Sequence, residues 1–238
     1  MVQKRTAIVT GASGGIGAGL VERFVKEGYS VVATSLETRP SLTPSPSLVL
    51  IDGDIGNPDT AAKVVEAAIQ NFGTIDVLVN VAGIYRAKAF LDYTAADLRD
   101  LVATNLSGFL YITQGAVRQM LKQKSGNVVS ITASLADLPI AGENASISML
   151  TKGGLNTATR SLAIEYAKEG IRFNAVAPGE VQTPMHKNVS PEELADRQPM
   201  KTVTQVTDIV EAVLYLARAN QVTGEIIHVD GGAHAGRW

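Results

Sequence analysis

Short runs of β-branched residues recur along the chain with longer helix-patterned segments between them, and this alternation restricts the fold more than any other feature. The runs are TAIVT (6–10), SVVAT (30–34), LVLID (48–52), DVLVN (76–80), NVVSIT (127–132), IRFNAVA (171–177) and EIIHVD (225–230). Nearly continuous apolar strands of this length are buried on both faces, as in a parallel sheet. Helical spacing fills roughly 15–28, 58–72, 94–123, 146–169 and 207–219. The expected fold is α/β: one doubly wound parallel sheet of seven strands with helices on both faces, a single Rossmann domain over residues 1–238. One connection breaks the rhythm. SLETRPSLTPSPSL (35–48) carries three prolines, which cannot continue a helix, so a loop is expected there.

With 238 residues, 45% of them hydrophobic, the chain can bury one large core, and nothing marks a second. A net charge of −2 without any basic run excludes a nucleic-acid partner and attraction to acidic membranes, and leaves a small molecule as the expected partner. No cysteine is present, which removes disulfides, thiolate metal sites and a cysteine nucleophile together; no metal site is expected. The N-terminal MVQKRTAIVTGASGG lacks the apolar core of a leader, and no apolar run approaches the ~18 residues of a membrane helix, so a soluble cytoplasmic protein is expected.

TGASGGIG (10–17) follows the first strand and opens the first helix. Glycines there admit a pyrophosphate close to the backbone, and the helix N-terminus offers unpaired N–H groups and a favourable dipole. Further polar pieces fall at strand ends, where an open α/β sheet binds its ligands: Asp54 and Ile55, NVAG (80–83), and PGEVQTP (178–184), together with Asn105 and Lys152 within helical segments. In this order and spacing the chain resembles the short-chain dehydrogenase/reductase family over essentially its whole length.

The resemblance implies Gly11, Ser13, Gly15, Ile16 and Gly17 at the pyrophosphate and Asp54 and Ile55 at the adenine. It implies Asn80, Ala82 and Gly83 beside the cofactor, with Val81 in place of a second asparagine, and Pro178, Gly179, Val181 and Thr183 at the nicotinamide. Asn105 matches the residue that holds a helix kink and a relay water, Lys152 the one that binds the nicotinamide ribose, and residues 184–203 the substrate lid. At the end of the second strand, Ser35 stands where an acid would bind a ribose 2′-hydroxyl, and Arg39 follows in the loop, so NADP(H) is expected over NAD(H). Glu37 argues the other way.

The family's proton donor is a tyrosine four residues before the lysine, with a serine upstream. Here NASISMLTKGG (144–154) has Ser148 at that place. Aligning SITAS with the family's usual NISS points to Ala133 for the upstream serine, and counting back from 148 points to Leu135; Ser134 lies between them, and Thr132 is a second candidate. A serine is too weak an acid to ionise beside an ammonium, but its hydroxyl donates and accepts, so Ser148 is expected to relay a proton between substrate and Lys152 or water. Tyr85, His186 and Glu143 could replace the acid or be ordinary loop packing or solvated side chains, and the tail GGAHAGRW, with His234 and Trp238, is either frayed or able to reach a neighbouring subunit's site.

The expected activity is thus an NAD(P)(H)-dependent oxidoreductase acting on a small activated carbonyl or imine through Lys152, Ser148, Ser134 and a water beside Asn105. A cofactor-binding sensor or scaffold with little catalysis, and an isomerase or dehydratase with bound nicotinamide, are the alternatives. Segment 146–169 is apolar or small on nearly every face, and one sheet covers only one side of a helix, so a homo-oligomer, tetramer or dimer, is expected.

Overall fold

The computed structural model describes residues 4–38 and 41–236. Seven parallel strands form one sheet: β1 (Thr6–Thr10), β2 (Ser30–Ser35), β3 (Leu48–Asp52), β4 (Val77–Asn80), β5 (Gly126–Ile131), β6 (Ile171–Pro178) and β7 (Ile226–Val229). Their order, β3-β2-β1-β4-β5-β6-β7, reverses direction between β1 and β4, and this switch point opens the crevice at the carboxyl ends of the strands.

Period-two alternation sends neighbouring residues of one strand into different cores. From β1, Ala7 and Val9 pack with Leu20, Phe24 and Val213, under helices α1 (Gly15–Lys26) and α7 (Val206–Arg218). Ile8 packs on the opposite face with Val64, Ile112 and Met120, under α2 (Pro58–Phe72) and α4, whose range is Gly108–Gln123. Helix α2 begins where Asn57 accepts the amide of Asp59 and Pro58 presets the first turn; it ends at Gly73, whose φ of +81° suits a residue without Cβ. Among the described residues, no helix joins β2 to β3, in agreement with the proline-rich reading.

Two segments carry more detail than the sequence periodicity showed. The span read as one helix over 94–123 divides into α3 (Ala95–Leu101), a π-helical turn at Val102–Ser107, and α4. The wider turn is centred on Asn105, whose buried amide is thereby turned inward. The lid region holds a 3-10 turn, Pro184–His186, and a short helix, α6 (Pro191–Asp196), started by a Ser190–Glu193 capping box.

Helix α5 (Ser146–Tyr166) inverts the usual pattern. Its buried face carries Ser148, Thr151, Asn156 and Thr159 along with Leu155 and Ala163, whereas Leu150 and Ile164 are 63% and 81% exposed. A helix that hides hydroxyls and shows leucine and isoleucine is turned toward a polar site on one side and leaves apolar surface on the other.

Candidate active site

The crevice wall on the β1 side is made chiefly of backbone. The Thr10 hydroxyl accepts the amides of Val81 and Ala82, each at 3.0 Å, which locks the glycine turn to the NVAG segment. Gly11 has φ +65°, and a Cβ there would fall 2.8 Å from the Ala82 backbone; on Gly17 it would fall 2.1 Å from the Gly11 carbonyl oxygen. Only glycine fits either place. Helix α1 starts at Gly14 without a side-chain cap and without an acidic residue in its first turn, and the space where a Gly14 side chain would stand is open. A helix start without a side-chain cap, beside open space at Gly14, is what a pyrophosphate needs, so these residues fit a dinucleotide.

The neighbouring candidates are arranged around this turn. Ser13 and Ser35 share a hydrogen bond of 2.8 Å, and Ile16 packs against the core. Asp54 is exposed and accepts the Gly56 amide at 2.8 Å, whereas Ile55 is buried where α4 begins, 2.8 Å from a Cβ built on Gly108. Arg39 and Trp238 lie outside the described residues. Glu37 is exposed, and Asp52 accepts both the amide and the hydroxyl of Thr38, fixing the start of the loop after β2. From the far side of the crevice, Thr183 and Pro184 come within 3.2 and 3.7 Å of a Cβ on Gly15. Pro178 ends β6, the Gly179 amide donates to Val229 O at 3.0 Å, and Val181 is buried.

The floor is polar. Asn80 donates to Thr113 Oγ1 at 3.1 Å. Asn105 Oδ1 accepts the Ile84 amide at 2.8 Å while its Nδ2 donates to Ile84 O at 3.0 Å and to Thr151 Oγ1 at 2.9 Å. Lys152 Nζ donates to Ile131 O at 2.8 Å and lies 3.0 Å from a Cβ built on Gly83, so a side chain at 83 would close the floor. Burial lowers the lysine to about 8, because the neutral amine is easier to desolvate than the ammonium.

Ser148 is placed one turn before Lys152, but its hydroxyl is committed. Oγ accepts the Arg86 amide at 2.9 Å and donates to the Arg86 carbonyl at 2.8 Å, and the residue is 1% exposed. A hydroxyl has one proton to give, so the relay expected of Ser148 meets a proton already donated to a peptide carbonyl. Ser134 is the opposite case: buried at the start of a 3-10 turn, with no hydrogen bond to its hydroxyl among the described residues. Thr132 Oγ1 donates weakly to Val176 O at 3.4 Å, which sets it apart from the open site.

A second set of groups roofs the crevice. Tyr85 Oη donates to Glu143 Oε2 at 3.3 Å, Arg197 Nη1 lies 3.3 Å from Glu143 Oε1 and 3.9 Å from Glu180 Oε1, and His186 Nε2 lies 3.5 Å from Glu180 Oε2. Burial first, then the Glu143 charge, raise Tyr85 well above the usual phenol value, so it stays protonated. Sequence reasoning named three of these five side chains and missed Glu180 and Arg197; the spacing of Glu180 and His186 across the PGEVQTP turn was the available signal. His234, in the tail read as frayed or as reaching a neighbouring subunit, pairs with Asp230 at 3.0 Å and stacks on His228 at 4.0 Å. Among the described residues no group of His, Asp or Glu is arranged to hold a metal ion, and no helix is long and apolar enough to cross a membrane.

Comparison with known proteins places this geometry. Residues 11–234 match a family described as enoyl-(acyl carrier protein) reductase. The 3-oxoacyl-[acyl-carrier-protein] reductase FabG of Buchnera aphidicola is 32% identical over 242 residues, covering 97% of this chain and 98% of the relative. Among solved structures, ElxO with NADP bound has a TM-score of 0.90 at 26% identity, covering 98% of this chain and 100% of that one. The 3-ketoacyl-(acyl-carrier-protein) reductase of Brucella melitensis complexed with NADH has a TM-score of 0.91 at 25% identity, with 98% and 100% covered. A glycine-lined helix N-terminus at the switch point, a lysine buried on the floor and relatives matched along their whole length lead to one conclusion: the chain belongs to the short-chain dehydrogenase/reductase family of nicotinamide-dependent oxidoreductases.

Proposed function

We propose that this protein is a reductase of a small activated carbonyl or imine, preferring NADP(H), that works without a phenol one turn before Lys152. The observation that carries the reading is the floor, a buried Lys152 beside Gly83 and Asn105; Ser134, buried in the turn after β5, has no hydrogen bond to its hydroxyl among the described residues. Gly11, Ser13, Gly15, Ile16 and Gly17 would hold the pyrophosphate, Asp54 and Ile55 border the adenine, and Asn80, Ala82, Pro178, Gly179, Val181 and Thr183 line the nicotinamide side. The bound nicotinamide supplies a hydride to the substrate carbon. Lys152 holds the ribose and places positive charge near the developing anion, Ser134 donates to the substrate heteroatom, and Ser148 holds the 84–88 loop in place through the Arg86 peptide.

General acid catalysis supplies ~10²–10⁴ in rate, whereas positioning of the reactants supplies ~7–11 kcal/mol, so loss of a phenol slows the chemistry without removing its largest part. Acceptors that need little acid fit best: dicarbonyls, quinones and protonated imines. The relatives named above as 3-oxoacyl reductases act on a 1,3-dicarbonyl group, which belongs to the same class. Residues 184–203 form the lid. The preference for NADP(H) rests on Ser35, hydrogen-bonded to Ser13 at the end of β2 where an acid would bind a ribose 2′-hydroxyl; the Asp52 carboxylate, opposite Ser35 in register, is taken up by Thr38, and the exposed Glu37 is the group that weighs toward NAD(H). The exposed Leu150 and Ile164 of α5 favour a second copy of the chain on that face.

The test is nicotinamide absorbance with NADPH and a panel of ketones, dicarbonyls, quinones and imines, repeated with NADH. Oxidation with a dicarbonyl or imine, lost in Lys152→Ala, supports the reading, and Ser35→Asp is expected to shift the preference toward NADH. Bound cofactor without oxidation by any acceptor returns the chain to the nucleotide-binding alternative.

A further inference from the structure

The reductase reading leaves the substrate heteroatom without a phenol one turn before Lys152, while the roof of the same site carries an imidazole whose Nε2 makes no hydrogen bond among the described residues. His186 ends the Pro184–His186 turn, and its Nδ1 stands 2.8 Å from the carbonyl oxygen of Val181. A carbonyl only accepts, so Nδ1 carries a hydrogen and donates it. The ring orientation is thereby fixed, and the exchangeable proton belongs to Nε2. Nε2 faces Glu180 Oε2 at 3.5 Å, an oxygen that is buried and has no hydrogen-bond partner among the described residues. Without a hydrogen on Nε2, two acceptors face each other; with one, they form an ion pair.

Three contacts set the pair across the crevice. Thr183 and Pro184, at the root of the same turn, come within 3.2 and 3.7 Å of a Cβ on Gly15 in the pyrophosphate cradle. Arg197, at the end of α6, bridges Glu180 at 3.9 Å to Glu143 at 3.3 Å. Glu143 receives the Tyr85 hydroxyl, and Tyr85 directly precedes the Arg86 peptide that clasps Ser148. The pair therefore lies on a band of side chains running from the glycine turn to the first turn of α5, whose next turn carries Lys152. The charged and titratable groups around His186 are Glu180 and Arg197, with Glu143 and Tyr85 beyond the arginine.

We propose that His186, oriented by Val181 and Glu180, is the general acid of this site and gives its Nε2 proton to the substrate oxygen or nitrogen. The inference rests on the reductase reading. In each turnover the Nε2–H bond breaks, an O–H or N–H bond forms as the carbonyl or imine π bond is lost, and imidazole is left neutral until solvent returns a proton. The two electrons and the carbon-bound hydrogen come from the reduced nicotinamide dinucleotide.

His186→Asn retains a donor toward Val181 O and so tests chemistry and not folding. Its kcat with NADPH and a dicarbonyl acceptor is expected to fall about 10²-fold. NADPH affinity should be unchanged by fluorescence titration. In ¹⁵N spectra of the cofactor-free protein, assigned with the same variant, Nδ1 of His186 should carry a hydrogen. Undiminished kcat in His186→Asn, in a wild type that turns over, overturns the acid role and leaves the reductase reading standing. A wild type that binds NADPH but reduces no acceptor overturns both, and an unprotonated Nδ1 overturns the orientation on which the role depends.

Discussion

The two sides of the crevice are made of different material. The β1 side, which fits the dinucleotide, is built from backbone: glycines whose missing Cβ atoms leave no alternative, amides of Val81 and Ala82 on one threonine, and an uncapped helix start. The α5 side, where chemistry would occur, is built from side chains whose roles depend on partners far away in sequence: Ser148 on Arg86, Asn105 on Thr151, and Arg197 on Glu143. Backbone geometry tolerates almost no substitution, whereas side-chain chemistry can be redistributed among neighbours. A chain can therefore keep its cofactor cradle and still rearrange its proton donors.

The largest effect expected on that contrast comes from Gly17→Val. The added Cβ would fall 2.1 Å from the Gly11 carbonyl, a backbone atom that no rotamer change can move away. Overpacking of this kind costs roughly 3 kcal/mol or more, on the order of 10 °C in thermal midpoint for a domain of this size, and NADPH binding should be lost with it. A variant that melts like wild type and binds cofactor would show that the cradle is far softer than its geometry implies.

Lys152→Met should separate the two sides. Turnover is expected to fall by ~10³ or more while the fold becomes more stable at pH 7. The sign follows from the lysine's value of about 8 in the folded chain, below its ordinary ~10.4. The folded state holds this proton more weakly than the unfolded one, so the ammonium costs stability in full below pH 8. That cost fades as pH rises from 8 toward 10.4 and is absent above. Thermal midpoints of the two proteins, measured from pH 6 to 11, should thus differ most at the acid end and converge at the alkaline end. A wild type more stable than the variant at pH 7 would mean that the hydrogen bond to Ile131 outweighs burial of the charge.

The same contrast explains what could be read from the sequence. Strand β1 and helix α2 have the expected bounds, because apolar periodicity and the caps at Asn57, Pro58 and Gly73 are local signals. The glycine turn was legible for the same reason. The π turn at Asn105 was signalled only by the family resemblance, which implied a kink there; no local pattern marks it, since it is stabilised by Ile84 and Thr151, which lie 21 and 46 residues away. Helix α5 looked merely apolar, and its buried hydroxyl face emerged only once Arg86 and Asn105 were packed against it. Ser148 stood out in the sequence as a departure at a catalytic place, yet its partner, 62 residues away, carried no signal at all.

Ser148 also gives the smallest and most discriminating test. Ser148→Ala removes both bonds to the Arg86 peptide and leaves an amide and a carbonyl unpaired at a site that is 1% exposed. That should cost about 1–3 kcal/mol of stability while kcat falls less than tenfold, because the hydroxyl holds a loop and has no spare proton to transfer. A drop near the ~10²–10⁴ typical of an acid, with stability unchanged, would restore the relay role. Ser148→Tyr sharpens the point in the other direction. A phenol at 148 is four residues before Lys152, but the Arg86 peptide stands within hydrogen-bonding distance of the same position, so the ring can enter only if residues 84–88 move. The tyrosine variant is therefore expected to be less stable than wild type and no faster. If it were faster, with a new pH limb below the ordinary phenol value of ~10, the loop would have yielded to the ring, and the arrangement around Arg86 would be a consequence of the serine and not a fixed part of the fold.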